Sequence, residues 1–314
     1  MIKLVELFGG IGAVRKALER ENIEFESVGY VEIDKNACKS YNALYNENYS
    51  PMSVCDYHLP EEQIDLLVHG SPCTQFSTVG LRTGGAEGSG TESSLMWETI
   101  RVIRETKHKP KIVIWENVEN VLNYSEYQKY LDALSEFGYV SSYKVLNSLD
   151  FGIPQTRNRV FTISILNGSA FNFDNVQTVP MVDIDKFIDR NFYSDKYRVA
   201  DRTIAIQFGK LPNNPFNGRN MIIGDYARTI VSNYAKVPTS NIVVVGDKYR
   251  HITEKESWLL MGFDESDFEK AQALYPQRYI NGRECMCGIL YRQAGNSIVV
   301  PVLQAIIREL KQYF

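Results

Sequence analysis

One of the chain's five cysteines stands apart from the others. In "HGSPCTQF", Cys73 follows Pro72 just past the apolar run from Ile64 to Val68. On its own it reads three ways: a small buried hydrophobe, a metal ligand, or a nucleophile at a strand end. Other residues of chemical type also sit where strand-like runs stop. "ELFGGIG" places Gly10 and Gly12 between a strand and a helix, the setting in which a nucleotide lies over a sheet's carboxyl end. Arg15 fills the third glycine position of the dinucleotide fingerprint, which weakens NAD and leaves other adenosine cofactors. Glu32, twenty residues past Gly12, can accept from both ribose hydroxyls, and Asp56 in "YSPMSVCDY" can take an adenine amino group. "IVIWENVEN" sets Glu116 and Asn117 at another strand end, and "FGIPQTRNRVF" spaces Gln155, Arg157 and Arg159 along one strand face.

Bringing these groups together requires the ends of several strands to meet. From Met1 to about Ile165, strand-like runs ("IKLVELF", "FESVGYVEI", "IDLLVHG", "KIVIWEN", "YVSSYKVLN", "RVFTISIL") are interspersed with amphipathic stretches. The spacing predicts a helix over "GAVRKALEREN" with Val14, Ala17 and Leu18 inward, and one over "DKNACKSYNALYN" opened by Asp34. A third spans "SLMWETIRVIRET" with Leu95, Thr99, Val102 and Ile103 inward. A fourth, "SEYQKYLDALSEFG", has Ser125 as its N-cap and Gly138 as its stop. The order implies an α/β class with a Rossmann-like, doubly wound, mostly parallel sheet. After Asn167 come short β-like runs, asparagines, aromatics and turn signals, read as a smaller β-rich domain. There "ITEKESWLLMGF" carries a capping box, Thr253 with Glu256. "NSIVVPVLQAIIRELKQYF" is expected to form a helix against the first domain. The domains are therefore expected at 1–173 plus 288–314 and at 174–287.

Net charge is −4, but it is unevenly spread. From Lys186 to Arg250, eleven Lys or Arg face five Asp and no Glu, a surplus of six, which leaves the rest of the chain at −10. A basic module on an acidic body points to nucleic acid. No stretch approaches the ~18 to 20 apolar residues of a membrane helix, and no signal peptide opens the chain. An odd cysteine count suggests reduced thiols in a cytoplasmic setting, and the lone Cys285–Cys287 pair argues against zinc, so no metal is expected.

Taken in order, "FGGIG", "SPC", "ENV", "QTRNR" and "RQAGNS" resemble the motifs of the DNA (cytosine-5) methyltransferases of bacterial or phage type. "ARTIVSN" resembles the Thr-Leu pair of the family's target-recognition domain, with Thr229 and Ile230 in its place. "YRHITEKESWLLMGF" looks like the motif beginning Arg-x-Leu-Thr. The sequence departs from the family where Thr74 separates the cysteine from Gln75, and where "VCD" replaces Gly-Asp.

The resemblance implies methyl transfer to C5 of cytosine in a specific double-stranded DNA sequence. Cytosine C5 is a poor nucleophile until a thiolate adds at C6, which makes Cys73 the expected nucleophile, its pKa lowered by arginine charge. Glu116 would donate at N3, Arg157 would pair with the thiolate or orient Glu116, and Arg159 would reach O2. The implied cofactor is S-adenosyl-L-methionine, held by Phe8, Gly9, Gly10, Ile11, Gly12, Glu32, Ile33, Asp56 and Pro72, with Asn296 and Ser297 closing the pocket. The base must flip out of the duplex, and the glycine-rich "RTGGAEGSGTES" is the expected lid. Gln75, Arg228, Thr229 and Ile230 are the expected DNA contacts, with Lys196, Arg198 and Lys236 on phosphates and Arg228 at a base edge. A cytoplasmic monomer is expected, and a cognate restriction endonuclease is left open as a functional partner. Two other readings stand: an RNA (tRNA) cytosine-5 methyltransferase of the same fold, and a DNA-binding relative without catalysis.

Overall fold

The strand-like runs of the first half pair into one sheet in the computed structural model, which describes residues 1–73, 85–211, 214–216, 218–219, 221–236 and 240–314. The chain divides into two units. One comprises Met1–Asn147, Asn158–Thr178 and Val300–Phe314, the other Ser148–Arg157 and Val179–Val299.

In the first unit β1 (Ile2–Leu7), α1 (Ala13–Arg20), β2 (Phe25–Val31), α2 (Lys35–Tyr45), β3 (Leu66–His69), α3 (Met96–Glu105), β4 (Ile112–Val118), α4 (Ser125–Glu136) and β5 (Tyr139–Asn147) follow in turn. The two-residue β6 (Gln155–Thr156) belongs to the second unit, and β7 (Asn158–Leu166) completes the sheet. The strand order is β2-β1-β3-β4-β7-β5. β1 runs parallel to β2 and β3, and β3 parallel to β4, while β7 lies antiparallel between β4 and β5. The expected mostly parallel sheet therefore holds, with one reversed strand.

Packing follows the periodicity. Val102 and Ile103 of α3 and Tyr130 and Leu134 of α4 are buried with Leu67, Val113 and Trp115 in one apolar cluster. Asp34 caps α2 by accepting from the Asn36 amide at 2.8 Å. At α4 the expectation shifts by a residue: Tyr124, not Ser125, is the N-cap, without a side-chain bond. Gly138, at φ 90°, stops that helix as expected.

The second unit holds α5 (Asp201–Gln207), β8 (Ala227–Arg228), β9 (Ile242–Val245), β10 (Lys248–His251), α6 (Glu254–Leu259), α7 (Glu265–Gln272), β11 (Arg278–Ile280), β12 (Arg283–Cys285) and α8 (Gly288–Asn296). Among the described residues its strands form only the pairs β6–β8, β9–β10 and β11–β12, so loops make up more of it than "β-rich" suggests. The capping box of α6 is present, and its Glu256 also takes the guanidinium of the buried Arg250 at 2.7 and 2.8 Å. That arginine is part of the core. The chain re-enters the first unit as α9 (Val300–Leu310), packed on α1, where Arg308 donates to Glu21 at 2.7 Å. No helix among the described residues is long and apolar enough to cross a membrane.

Candidate active site

The turn from β1 into α1 has φ of 56° at Phe8, 55° at Gly10 and 82° at Gly12, a left-handed course that glycine adopts without strain. Gly9 is needed for space, since a β-carbon there would stand 2.7 Å from the Tyr30 ring. The Tyr30 and Tyr45 hydroxyls donate to the Gly10 and Gly12 carbonyls, both at 2.7 Å. Tyrosines of β2 and α2 thus brace the loop from one side, a support that no motif signalled. The direction of a β-carbon at Gly10 is open, with nothing within 4 Å.

Glu32 stands just past β2 and faces this loop. Its Oε2 accepts from the Gly10 amide at 3.0 Å and its Oε1 from the Asp34 amide at 2.8 Å. Burial pushes its carboxyl up, opposed by those amides. Ile33 beside it is 72% exposed, Ile11 is buried and Asp56 is exposed in a short 3-10 turn. An open glycine cradle, a carboxylate with lone pairs to spare and an uncovered isoleucine fit an adenosine-bearing cofactor: ribose on the acid, base on the apolar face.

Cys73 lies beyond β3, half-buried and outside any disulfide, next to the half-buried Pro72. β3 and β4 run parallel with His69 opposite Trp115. From β4, the Trp115 indole N–H donates to Ser71 Oγ at 3.1 Å, and Asn117 Nδ2 donates to the Ser71 carbonyl at 3.1 Å. Behind them His69 pairs with the Tyr130 hydroxyl at 2.8 Å and stacks on Trp115, the planes 7° apart. Burial pushes its imidazole down to about 3, so His69 is neutral and supports the wall. Glu116, between the two anchors and buried, has Oε1 3.1 Å from Arg159 Nε on β7.

The even spacing of Gln155, Arg157 and Arg159 does not lie on one strand. The chain breaks between β6 and β7, and Arg157 falls in the break. Its buried guanidinium donates to the carbonyls of Ile230, Gly295 and Ser297, each at 3.0 Å. Arg157 is thus placed as a clasp within its own unit, on backbone that carries Asn296, exposed, and Ser297, buried. Gln155 donates to the Leu260 carbonyl at 2.8 Å and accepts from the Ile230 amide at 3.0 Å. The Ile230 side chain is buried, so it serves the core, while Thr229 donates to the Thr156 carbonyl at 2.6 Å and Arg228 is exposed.

Among the residues nominated for phosphates, Lys236 is exposed and Arg198 pairs with Asp201 on the surface. Lys196 differs. Its side chain is 11% exposed and sits between Glu254 at 3.3 Å and Glu284 at 3.2 Å. In this structure it is an internal ion-pair partner, because two carboxylates have already replaced the solvent it would give up to a phosphate. Thr74, Gln75 and the start of the expected lid, up to Gly84, lie outside the described residues.

A family model for C-5 cytosine-specific DNA methylases matches residues 2–312. The chain is 29% identical over 375 residues to the type II methyltransferase M2.ScrFI of Lactococcus lactis subsp. cremoris, covering 99% of each. It is also 29% identical over 332 residues to the type II methyltransferase M.Bsp6I of Bacillus sp. (strain RFL6), covering 99% of this chain and 98% of that one. In fold it is similar to the S. pombe Dnmt2 methyltransferase, with a TM-score of 0.76 at 18% identity over 100% of this chain and 99% of that one.

Proposed function

The chain belongs to the C-5 cytosine-specific DNA methylases, and we propose that Cys73, Glu116 and Arg159 carry out its methylation of cytosine C5 in DNA. The observation that carries the assignment is the pair of bonds from Trp115 and Asn117 to Ser71, which fasten the cysteine's segment to the strand end bearing Glu116. A nucleophile and a carboxyl held by adjacent parallel strands can reach opposite sides of one pyrimidine ring, C6 and N3.

The Cys73 thiolate forms the S–C6 bond as the C5=C6 pair shifts into the ring, and charge gathers toward N3 and O2. Glu116 supplies a proton at N3, and Arg159 offers its guanidinium to O2. In the free protein these two side chains face each other as an ion pair, so Glu116 takes up a proton from solvent as the entering base draws Arg159 away from it toward O2. Once C5 is methylated, water takes the C5 proton, the thiolate leaves C6 and the N3 proton returns to Glu116, which restores the aromatic ring. The methyl donor assigned is S-adenosyl-L-methionine, which when bound supplies an electrophilic sulfonium methyl. Phe8 to Gly12, Glu32, Ile33 and Asp56 would hold it, the glycines by close backbone approach and Glu32 by accepting from ribose hydroxyls.

The substrate assigned is one specific sequence in double-stranded DNA, read by exposed groups of the second unit such as Arg228. The type II names of M2.ScrFI and M.Bsp6I support a restriction–modification setting; the functional partner assigned is an endonuclease of the same specificity, and the working form assigned is a cytoplasmic monomer. Transfer of a labelled methyl group from S-adenosylmethionine to duplex DNA and to RNA tests the reading, with bisulfite sequencing of host DNA to locate the mark. One recurrent duplex sequence methylated at cytosine is expected; label on RNA alone would overturn it.

A further inference from the structure

We propose that the hairpin from Arg278 to Cys285 is a second DNA-contacting element, outside the basic segment of residues 186–250, with Arg278 and Arg283 on phosphates and Tyr279 and Ile280 against the groove. The proposal rests on the assignment of DNA as substrate.

The hairpin is built by its turn. Asn281 and Gly282 have φ of 50° and 75°, the pair of positive values that a tight primed turn requires. Ile280 pairs with Arg283, Tyr279 with Glu284 and Arg278 with Cys285. A two-stranded ribbon with no core of its own is marginal in water. This one is held at its base, where Glu284 takes Lys196 at 3.2 Å and Lys196 in turn takes Glu254 at 3.3 Å. The hairpin is thus tied by Glu284 to Lys196, a member of the segment that holds the chain's surplus of positive charge.

Its tip does the opposite of what stability asks. Tyr279 is 61% and Ile280 60% exposed, and every residue from Arg278 to Arg283 is exposed. Among the described residues neither Arg278 nor Arg283 has a carboxylate within ion-pair distance, while Glu284 is committed to Lys196. Guarding a strand edge would account for the arginines but not for an uncovered tyrosine and isoleucine between them. Cationic charge flanking an aromatic and an aliphatic side chain matches a duplex, which offers phosphates at the groove rim and base edges and thymine methyls within. A major groove admits a two-stranded ribbon of this kind.

The test uses the full chain in four forms: unaltered, Arg278→Ala/Arg283→Ala, Arg278→Lys/Arg283→Lys and Tyr279→Ala/Ile280→Ala. Each is measured for affinity to a target duplex and to an unrelated duplex across a salt series. The alanine pair should lose about tenfold or more on both duplexes at low salt and lower the salt slope by about two counterions. The lysine pair should keep the slope, and Tyr279→Ala/Ile280→Ala should lose affinity at an unchanged slope. S-adenosylmethionine binding should be the same in all four. Unchanged affinity and slope in the alanine pair overturn the proposal, as does a lysine pair as impaired as the alanine pair. Self-association abolished by Tyr279→Ala/Ile280→Ala with DNA affinity intact also overturns it, in favour of an interface between copies. If the unaltered chain neither binds nor methylates duplex DNA, the functional assignment itself has failed.

Discussion

The Trp115 indole N–H donates to Ser71 Oγ at 3.1 Å, joining positions 44 residues apart in the chain and two residues short of Cys73. Neither side chain needs to touch substrate. A hydrogen bond of this kind is worth about 1 kcal/mol, a three- to tenfold effect in rate if it is used to hold the thiol in place. Trp115→Phe keeps the aromatic packing on His69 and removes the donor; Ser71→Ala removes the acceptor. Each should lower kcat about three- to tenfold with KM for duplex nearly unchanged, and the double variant should be no worse than the more impaired single one. Steady-state kinetics on the three proteins decide this, and additive losses would mean that the bond does not transmit the effect.

Cys73→Ser should abolish methyl transfer while cofactor and DNA binding persist. The serine hydroxyl is far too weakly ionised at neutral pH to add at C6. Turnover above a tenth of the unaltered rate, measured with labelled cofactor, would remove Cys73 from the mechanism.

What the sequence made legible was local. The glycine loop, the Asp34 cap, the Thr253–Glu256 box and the Gly138 stop are each set by residues a few positions apart, and all four stand in the structure. What it hid depends on contacts across the chain. The period-two reading of Gln155, Arg157 and Arg159 failed because the chain leaves one unit for the other between them, so their side chains answer to different neighbours. Ile230, expected at the DNA, has its backbone bonded to Gln155 and Arg157, partners more than 70 residues away that no local pattern announces. The tyrosine brace and the Trp115–Ser71 bond have no short-range signature, since their partners come from separate elements.

Glu32→Ala should weaken S-adenosylmethionine binding by about 1 to 3 kcal/mol, because a buried-side acceptor of hydroxyls is lost and the Gly10 amide loses its partner. Glu32→Gln should fall between, keeping one acceptor oxygen. Calorimetric titration with the cofactor reads the effect, and an unchanged affinity in both variants would displace the ribose from this carboxylate.

Glu6 and His69 make stability respond to pH in opposite senses. Burial pushes the Glu6 carboxyl up to about 7, opposed by the Tyr41 hydroxyl at 2.8 Å and the charge of Arg15. The native chain then keeps a proton that the unfolded chain gives up above its ordinary value of 4.5. Stability from Glu6 is therefore lost as pH rises from there toward 7. Glu6→Gln retains an acceptor for Tyr41 and should raise the unfolding midpoint at pH 8 but not at pH 4. For His69, held near 3 against an ordinary 6.5, the unfolded chain binds the extra proton, so stability falls as pH drops below 6.5. Thermal unfolding at intervals across this range checks both; parallel curves for Glu6→Gln and the unaltered chain would refute the Glu6 account.

Lys196 and Lys236 belong to the same basic segment and should behave differently. Lys236 is exposed, so Lys236→Ala should leave the unfolding midpoint in place, weaken binding to every duplex alike and lower the salt slope by about one. Lys196 is enclosed by Glu254 and Glu284, with the Cys287 amide also bonded to Glu254 at 2.6 Å. Removing its ammonium leaves two carboxylates facing each other at low exposure, and breaking such a pair from one side costs several kcal/mol, about 3 to 5 for a fully buried one and less here. Lys196→Met, which keeps the stem and deletes the charge, should therefore lower the unfolding midpoint at pH 7. Its salt slope on DNA, measured below the melting transition, should match the unaltered chain. A slope lowered by one with an unchanged midpoint would return Lys196 to the DNA surface and take the two glutamates out of its account.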